Sequence, residues 1–269
     1  MSIQTTYYIG DVHGCRDLLE TMLQHIEEDA GRNENALVIA FLGDITDRGP
    51  ESMECMELVH RTLAEFPGSV LHLGNHDEWF LDAIRTEGKF TDFESWFIHG
   101  GSDTIRSYCN GEIDQGVWDI VRTRYPHHVK MLEDATLYTT NGPFVAAHAG
   151  MNPYLPLAEQ KSHDLNWIRD PFLMFVEPGM PPVIHGHTIV GKLPVVTENR
   201  ISIDTGAFRN GRLTCLKVDA AEGKLTFWQS CENGYVMEVQ PILLDRGYGT
   251  VFDRLPQLFS MEDIPALAT

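Results

Sequence analysis

Short apolar runs alternate with amphipathic stretches through the first third of the chain, and each run empties into a polar, glycine-bearing segment. Residues 5–9 are β-branched and aromatic and read as a strand running into Gly10-Asp11-Val12-His13-Gly14. Over residues 16–28 the positions Leu18, Leu19, Met22, Leu23 and Ile26 recur at helical spacing. The continuous aliphatic run 36–42 predicts a buried strand ending in Gly43-Asp44-Ile45-Thr46-Asp47-Arg48-Gly49. Pro50 suits the first turn of a second helix, carried through Met53, Met56, Leu58, Val59 and Leu63. Residues 69–73 make a third strand, with Gly74-Asn75-His76-Asp77 as the loop at its end.

Strand, polar loop and helix thus occur three times over. Such crossovers are right-handed and join parallel strands, so all three loops emerge on one sheet edge, where ligands bind in open α/β sheets. Asp11, His13, Asp44, Asp47, Arg48, Asn75, His76 and Asp77 are gathered there by topology. Taken alone, residues 43–49 could be a capped turn in which Asp47 holds the next helix and Arg48 pairs with Asp44. Three such loops at one edge do not each need histidine or paired aspartate, and the convergence points to chemistry.

Residues 80–134 are helical in character but broken by glycines, and their many aromatics read as core. They suggest a helical insertion over the edge of the site. Residues 136–140 and 144–148, joined at Asn141-Gly142, predict a β-hairpin that delivers His148 at a strand end. A proline-rich loop spans 153–182 and carries Arg169 within Trp-Ile-Arg-Asp. Residues 182–188 are a further strand feeding the loop that holds His185 and His187. Strand candidates follow at 195–197, 201–204, 213–218, 225–229 and 235–239, and the chain from residue 245 is irregular or weakly helical. With no repeats or linker, residues 1–269 are expected to form one domain with two sheets.

The formal net charge is −19, from 39 acidic against 20 basic side chains. That field repels phosphate backbones and anionic membranes, so neither nucleic acid nor a membrane is an expected partner. Carboxylates gathered around divalent cations would offset part of it. Five scattered cysteines, none spaced CxxC, give neither a disulfide framework nor a thiolate metal site. Cys15 beside the first loop reads as a packing residue. No basic leader or apolar run near the ~20 residues of a membrane span is visible, and the expected location is the cytoplasm.

A site for two divalent ions about 3.5–4 Å apart needs carboxylates and imidazoles, one carboxylate able to bridge. The loops supply Asp11, His13, Asp44, the amide of Asn75, His148 and His187. As a set, GDVHG (10–14), GDITDRG (43–49), GNHD (74–77), HAG (148–150) and GHT (186–188), with IDTGA (203–207) as a weaker echo, resemble the calcineurin-like metallophosphoesterase superfamily. The GDxxDRG form is similar to its phosphoprotein phosphatase branch, which includes bacterial Ser/Thr phosphatases and symmetrical diadenosine tetraphosphate hydrolases.

The resemblance implies an α/β fold of two mixed sheets packed as a central sandwich flanked by helices. It implies Asp11, His13 and Asp44 on a first metal, and Asp44, Asn75, His148 and His187 on a second. His76 would protonate the leaving group, oriented by Asp47, and Arg48 would bind phosphate as a planar fork. Arg169 is a candidate second phosphate ligand, set against a surface ion pair. His187 is preferred to His185 as ligand because it occupies the Gly-His-Thr position. A hydroxide bridging the cations would attack phosphorus in line, without a covalent intermediate. Manganese suits the donor set first, with iron and zinc also fitting.

Leu73 before the third motif, Asp77 after it, and HAG where protein phosphatases carry HGG leave the metal ligands intact but bear on substrate. The leading expectation is a bacterial-type Ser/Thr or broad-specificity phosphatase acting on a phosphoprotein or small phosphoester. The alternative is a symmetrical diadenosine tetraphosphate hydrolase. A nuclease is disfavoured by charge, and a metal-stabilised binding module by the presence of both an acid and a phosphate arginine.

Overall fold

The computed structural model describes residues 4–31, 37–114, 116–177 and 179–260. Strands β1 (Thr6–Ile9), β2 (Ile39–Phe41) and β3 (Val70–Leu71) lie side by side and parallel, joined by helices α1 (Arg16–Ala30) and α2 (Ser52–Glu65). Helix α3 (Asn75–Thr86) follows β3 directly. Short helices α4 (Phe93–Trp96), α5 (Ser102–Tyr108), α6 (Val117–Arg124) and α7 (Pro126–Glu133) fill the segment expected to be helical. A hairpin of β4 (Tyr138–Asn141) and β5 (Phe144–Ala147) comes next, then α8 (Ser162–Trp167) and β6 (Val183–His185). The chain ends in β7 (Val195–Val196), β8 (Arg200–Ser202), α9 (Ala207–Asn210), β9 (Arg212–Asp219), β10 (Lys224–Cys231), β11 (Val236–Val239), β12 (Ile242–Leu243) and α10 (Leu255–Phe259).

Two six-stranded mixed sheets result, ordered β11-β10-β9-β1-β2-β3 and β12-β7-β8-β6-β5-β4. Because side chains alternate along a strand, each buried strand serves two layers. Tyr8, Ala40, Leu216 and Phe227 of the first sheet meet Phe144, Ala146, Ile184 and Ile201 of the second in a shared core. Their neighbours Tyr7, Ile9, Ile39 and Phe41 face α1, α2 and the helical insertion. Val145, Ala147 and Val183 pack outward against the segment around α8. This is the sandwich of two mixed sheets flanked by helices.

Several boundaries differ from expectation. The second strand is only Ile39–Phe41, since Leu37 and Val38 precede the ladder; Ala36 lies outside the described residues. Helix α2 starts two residues after Pro50, at Ser52. Asn75, His76 and Asp77 form the first turn of α3, with Gly74 capping it, so the third motif is a helix start and not a loop. The hairpin pairs Asn141 with Phe144, which makes Gly142-Pro143 its two-residue turn. The proline-rich stretch holds α8, and β12 adds an edge strand where none was expected.

The direction of the parallel strands fixes where chemistry can occur. β1, β2 and β3 point the same way, as do β5, β6 and β8 in the second sheet. Their carboxyl ends meet along one seam, tied by the His148 imidazole to the Leu42 carbonyl at 2.7 Å. Truncating a side chain in the shared core should loosen both sheets together. Phe144→Ala, at a fully buried position, is expected to cost ~3–5 kcal/mol of unfolding free energy, read from denaturant midpoints at unchanged slope.

Candidate active site

Asp44 lies at the centre of the seam. Its φ of 51° is in the left-handed region, and His13, Asp47, Arg48 and His187 share that conformation. Five non-glycine residues so held store strain that only surrounding structure maintains, a pattern common at functional sites. The Asp44 carbonyl accepts the N–H groups of Val12 and His13, at 3.1 and 2.8 Å. Its Oδ1 accepts the His76 N–H at 2.9 Å, a carboxylate at the positive end of α3. Gly74 is required for this approach, since a Cβ there would lie 2.2 Å from both the Asp44 nitrogen and its Oδ1.

Each imidazole is aimed by its second nitrogen. His13 Nδ1 donates to the Thr46 carbonyl at 2.8 Å and His148 Nδ1 to that of Leu42, which turns both Nε2 atoms inward. Both lie 3.5 Å from Asp44 carboxylate oxygens. Asn75 Oδ1 stands 3.0 Å from His148 Nε2 and 2.8 Å from His187 Nδ1. Ligand atoms of Asp44, His148 and His187 fall within 4.8 Å of one another, and so do those of His13, Asp44 and His76. Asp11 sits at the edge of this cluster. Its two oxygens accept the His187 N–H at 3.1 and 3.0 Å.

His76 and Asp47 form a buried dyad. Nδ1 of His76 donates to Asp47 Oδ2 at 2.7 Å. Trp96 Nε1 donates to the same oxygen at 2.8 Å, and the Thr104 hydroxyl to Oδ1 at 2.6 Å. Burial pushes the Asp47 carboxyl well above the usual range and the His76 ring down to about 4. The Trp96 and Thr104 donors oppose that rise and favour Asp47 as the acceptor of the His76 Nδ1 proton. Arg48 spans the two rings that remain: its guanidinium donates to His13 Nε2 at 2.8 Å and to His76 Nε2 at 2.9 Å, and lies over the Phe208 ring at 4.8 Å.

Sequence reasoning missed several participants. Asp204, just beyond β8 in the IDTGA echo, is buried with its Oδ2 unpartnered among the described residues, and lies close enough to raise Asp11. Asp77 is gathered at this edge by the sequence pattern without an assigned role; it accepts the Ile45 and Thr46 N–H groups and the Thr46 hydroxyl, and so splints the 43–49 loop. Trp96, Thr104 and Phe208 carried no sequence signal, because they reach the site from the insertion and from α9. His185 is turned away, its Nε2 bonded to Ser202 at 2.7 Å and its ring against Phe172. His187 lies beyond the strand in a left-handed turn, so the two do not follow strand alternation. Arg169 is exposed and near enough for its charge to lower His187, and its side chain makes no hydrogen bond or ion pair among the described residues. Burial pushes the Cys15 thiol up to about 12, which fits a packing role.

The donor set fits divalent cations. Burial raises Asp11 well above its ordinary range, raises Asp44, and pushes Asp204 up to about 6, while it pushes His148 down to about 3 and His187 to about 2. Carboxylates and neutral imidazoles buried together need an external cation to compensate their charge. Among the described residues, His187 Nε2 and Asp204 Oδ2 are buried without hydrogen-bond partners. Imidazoles oriented through the far nitrogen are the usual support of metal ligands.

The profile of the family described as calcineurin-like phosphoesterase matches residues 5–191. This chain belongs to the calcineurin-like phosphoesterase family. It is therefore a metal-dependent phosphoesterase, and the family implies two divalent ions. It is 28% identical over 223 residues to serine/threonine-protein phosphatase 2 of Salmonella typhimurium, covering 79% of this chain and 92% of that one. It is 28% identical over 236 residues to the asymmetrical bis(5'-nucleosyl)-tetraphosphatase PrpE of Anoxybacillus flavithermus, covering 80% and 90%. Among solved structures, a cold-active protein tyrosine phosphatase shares the fold with a TM-score of 0.52 at 17% identity, over 89% of this chain and 80% of that one. A metallophosphoesterase from Sphaerobacter thermophilus does so with 0.50 at 18%, over 89% of each chain. Among the described residues no helix is long and apolar enough to cross a membrane.

Metal and protons compete for this site. Burial and the charge of Asp44 raise Asp77 from 3.8 to about 8. An acid that binds its proton more tightly when folded adds stability that is complete at low pH and is lost as pH rises through the folded value. The buried imidazoles act in the opposite sense, but only below their ordinary value near 6.5. Chelator-stripped protein is therefore expected to melt at lower temperature as pH rises from about 7 to about 9, and added divalent metal to flatten that slope. Thermal melts across the range, with and without metal, check this; a rise for stripped protein contradicts it.

Proposed function

We propose that this chain is a dinuclear phosphomonoesterase of the bacterial Ser/Thr or broad-specificity type. The observation that carries the reading is the buried Asp47–His76 dyad, with the Arg48 fork on its Nε2, beside two donor clusters that share Asp44. Asp11, His13 and Asp44 would hold one ion, and Asp44, Asn75, His148 and His187 the other. Oxygen-rich ligands with imidazole suit manganese, with iron or zinc also accommodated. Bound there, the ions would supply Lewis acidity at phosphorus and a water of lowered pKa.

The chain's own residues do the rest. Arg48 leaves the two imidazoles to fork onto phosphate oxygens, which frees His13 Nε2 as a ligand and His76 Nε2 to carry a proton. The arriving phosphate anion and the Asp47 carboxylate both favour the protonated ring, offsetting the burial that pushes it down. His76 then donates that proton to the departing alkoxide, with Asp47 holding the ring in line. Arg169, exposed and unpaired at the rim, is a second ligand for phosphate.

A second reading, dinucleoside tetraphosphate hydrolysis, is favoured by the GNHD and HAG departures and by the PrpE relatives. Their name specifies asymmetrical cleavage, whereas the sequence alone suggested the symmetrical type. Phosphoserine peptide and diadenosine tetraphosphate, each offered to manganese-loaded protein, separate the two. Faster turnover of the peptide is expected, and a dinucleotide preference of orders of magnitude would overturn the first reading. Asp47→Asn should lower kcat by ~10²-fold or more with metal content kept, whereas Asp44→Asn should lose metal as well. Arg48→Ala should raise KM and lower kcat together. Equal metal loss in all three variants contradicts this division of roles.

A further inference from the structure

A third donor cluster lies where α2 packs against α7. Glu57 and His60 stand one turn apart on α2, and His127 and His128 follow Pro126 in the first turn of α7. Glu57 Oε2 is 2.9 Å from His127 Nε2 and 3.2 Å from His128 Nε2, and the three donor atoms lie within 4.8 Å of one another. Tetrahedral zinc, with bonds of about 2.0–2.1 Å to nitrogen and oxygen, spaces neighbouring ligand atoms by roughly 3.3 Å. Both glutamate–histidine pairs are close to that spacing. The His60 and His127 rings lie 4.7 Å apart, which puts a third imidazole beside the cluster.

Two features go beyond a carboxylate accepting from two imidazoles. The His128 side chain is fully buried, and its Nδ1 meets the Tyr108 hydroxyl at 2.8 Å, the kind of partner that orients a ligating histidine through its second nitrogen. A cavity of about 390 Å³, lined by His60, His127, Lys130 and Asp134 among others, opens next to the cluster and provides an entry path with room for water. The donors are one carboxylate and imidazoles, without thiolate, a set that takes Zn²⁺, Co²⁺ or Ni²⁺.

We propose that Glu57, His127 and His128, with His60 beside them, form a third metal site for a borderline divalent ion that staples α7 to α2. Metal on His128 Nε2 places the ring proton on Nδ1, where the Tyr108 oxygen accepts it, so the ring stays neutral. The staple joins the helix that leaves the 43–49 loop to the end of the insertion that supplies Trp96 and Thr104 to Asp47. It would thus brace the dyad from outside, without touching substrate.

Cobalt bound per chain, counted after equilibrium dialysis of the stripped full-length protein, tests this independently of substrate. Glu57→Gln and His127→Gln, both at partly exposed positions, should each bind one Co²⁺ fewer than the parent while manganese-supported hydrolysis of p-nitrophenyl phosphate persists. The same loss should appear in an Asp44→Asn, His148→Ala background, where the active-site ions are already weakened. Tyr108→Phe should keep the ion but weaken it by ~10–100-fold. Equal cobalt content in parent and both variants overturns the proposal, as does an additional ion that disappears with Asp44 but not with Glu57.

Discussion

Asp44 couples everything in this molecule that bears on chemistry. It is buried, held at positive φ, and placed where the carboxyl ends of parallel strands from two sheets converge. Its carbonyl fixes the backbone of the first motif and its carboxylate caps α3, with His13 and His148 on either side of its oxygens. A buried carboxylate among other buried carboxylates is costly unless positive charge meets it. The fold answers with donors and with room for cations, so the architecture of the sandwich and the chemistry of the seam are one constraint.

The helical insertion is part of the same design. Trp96 and Thr104 reach across to the two oxygens of Asp47, and Asp47 holds the ring of His76. The insertion therefore helps orient the ring of the residue proposed as acid. Gly100 extends the contact, with its carbonyl accepting the Arg48 N–H at 3.4 Å. Helix α2 joins this contact too, its Ser52 hydroxyl accepting the Asp47 N–H at 3.1 Å.

Much of this was legible in the chain because periodicity encodes topology. Three strand–loop–helix repeats sufficed to gather Asp11, Asp44 and His76, since parallel strands must end on one edge. The second sheet was readable through the strand ends at His148 and His187. What escaped were residues whose role depends on long-range packing. Trp96 and Thr104 look like ordinary core and helix residues until tertiary structure brings them to Asp47. Asp77 is placed at the same edge by topology, but that it splints the 45–46 backbone shows only in the folded chain. The strand over 36–42 is longer than the observed one because an aliphatic run signals burial, whereas residue pairing with β1 runs only from Ile39 to Phe41, Val38 and Leu42 adding one backbone hydrogen bond at each end.

The most direct test of Asp44 as the shared bridge is a crystal structure of manganese-soaked protein with anomalous scattering recorded at the manganese edge. Two peaks are expected, each at a coordination distance of ~2–2.3 Å from an Asp44 oxygen. One should be flanked by Asp11 and His13, the other by Asn75, His148 and His187. A single peak, or two peaks that do not share Asp44, would contradict it.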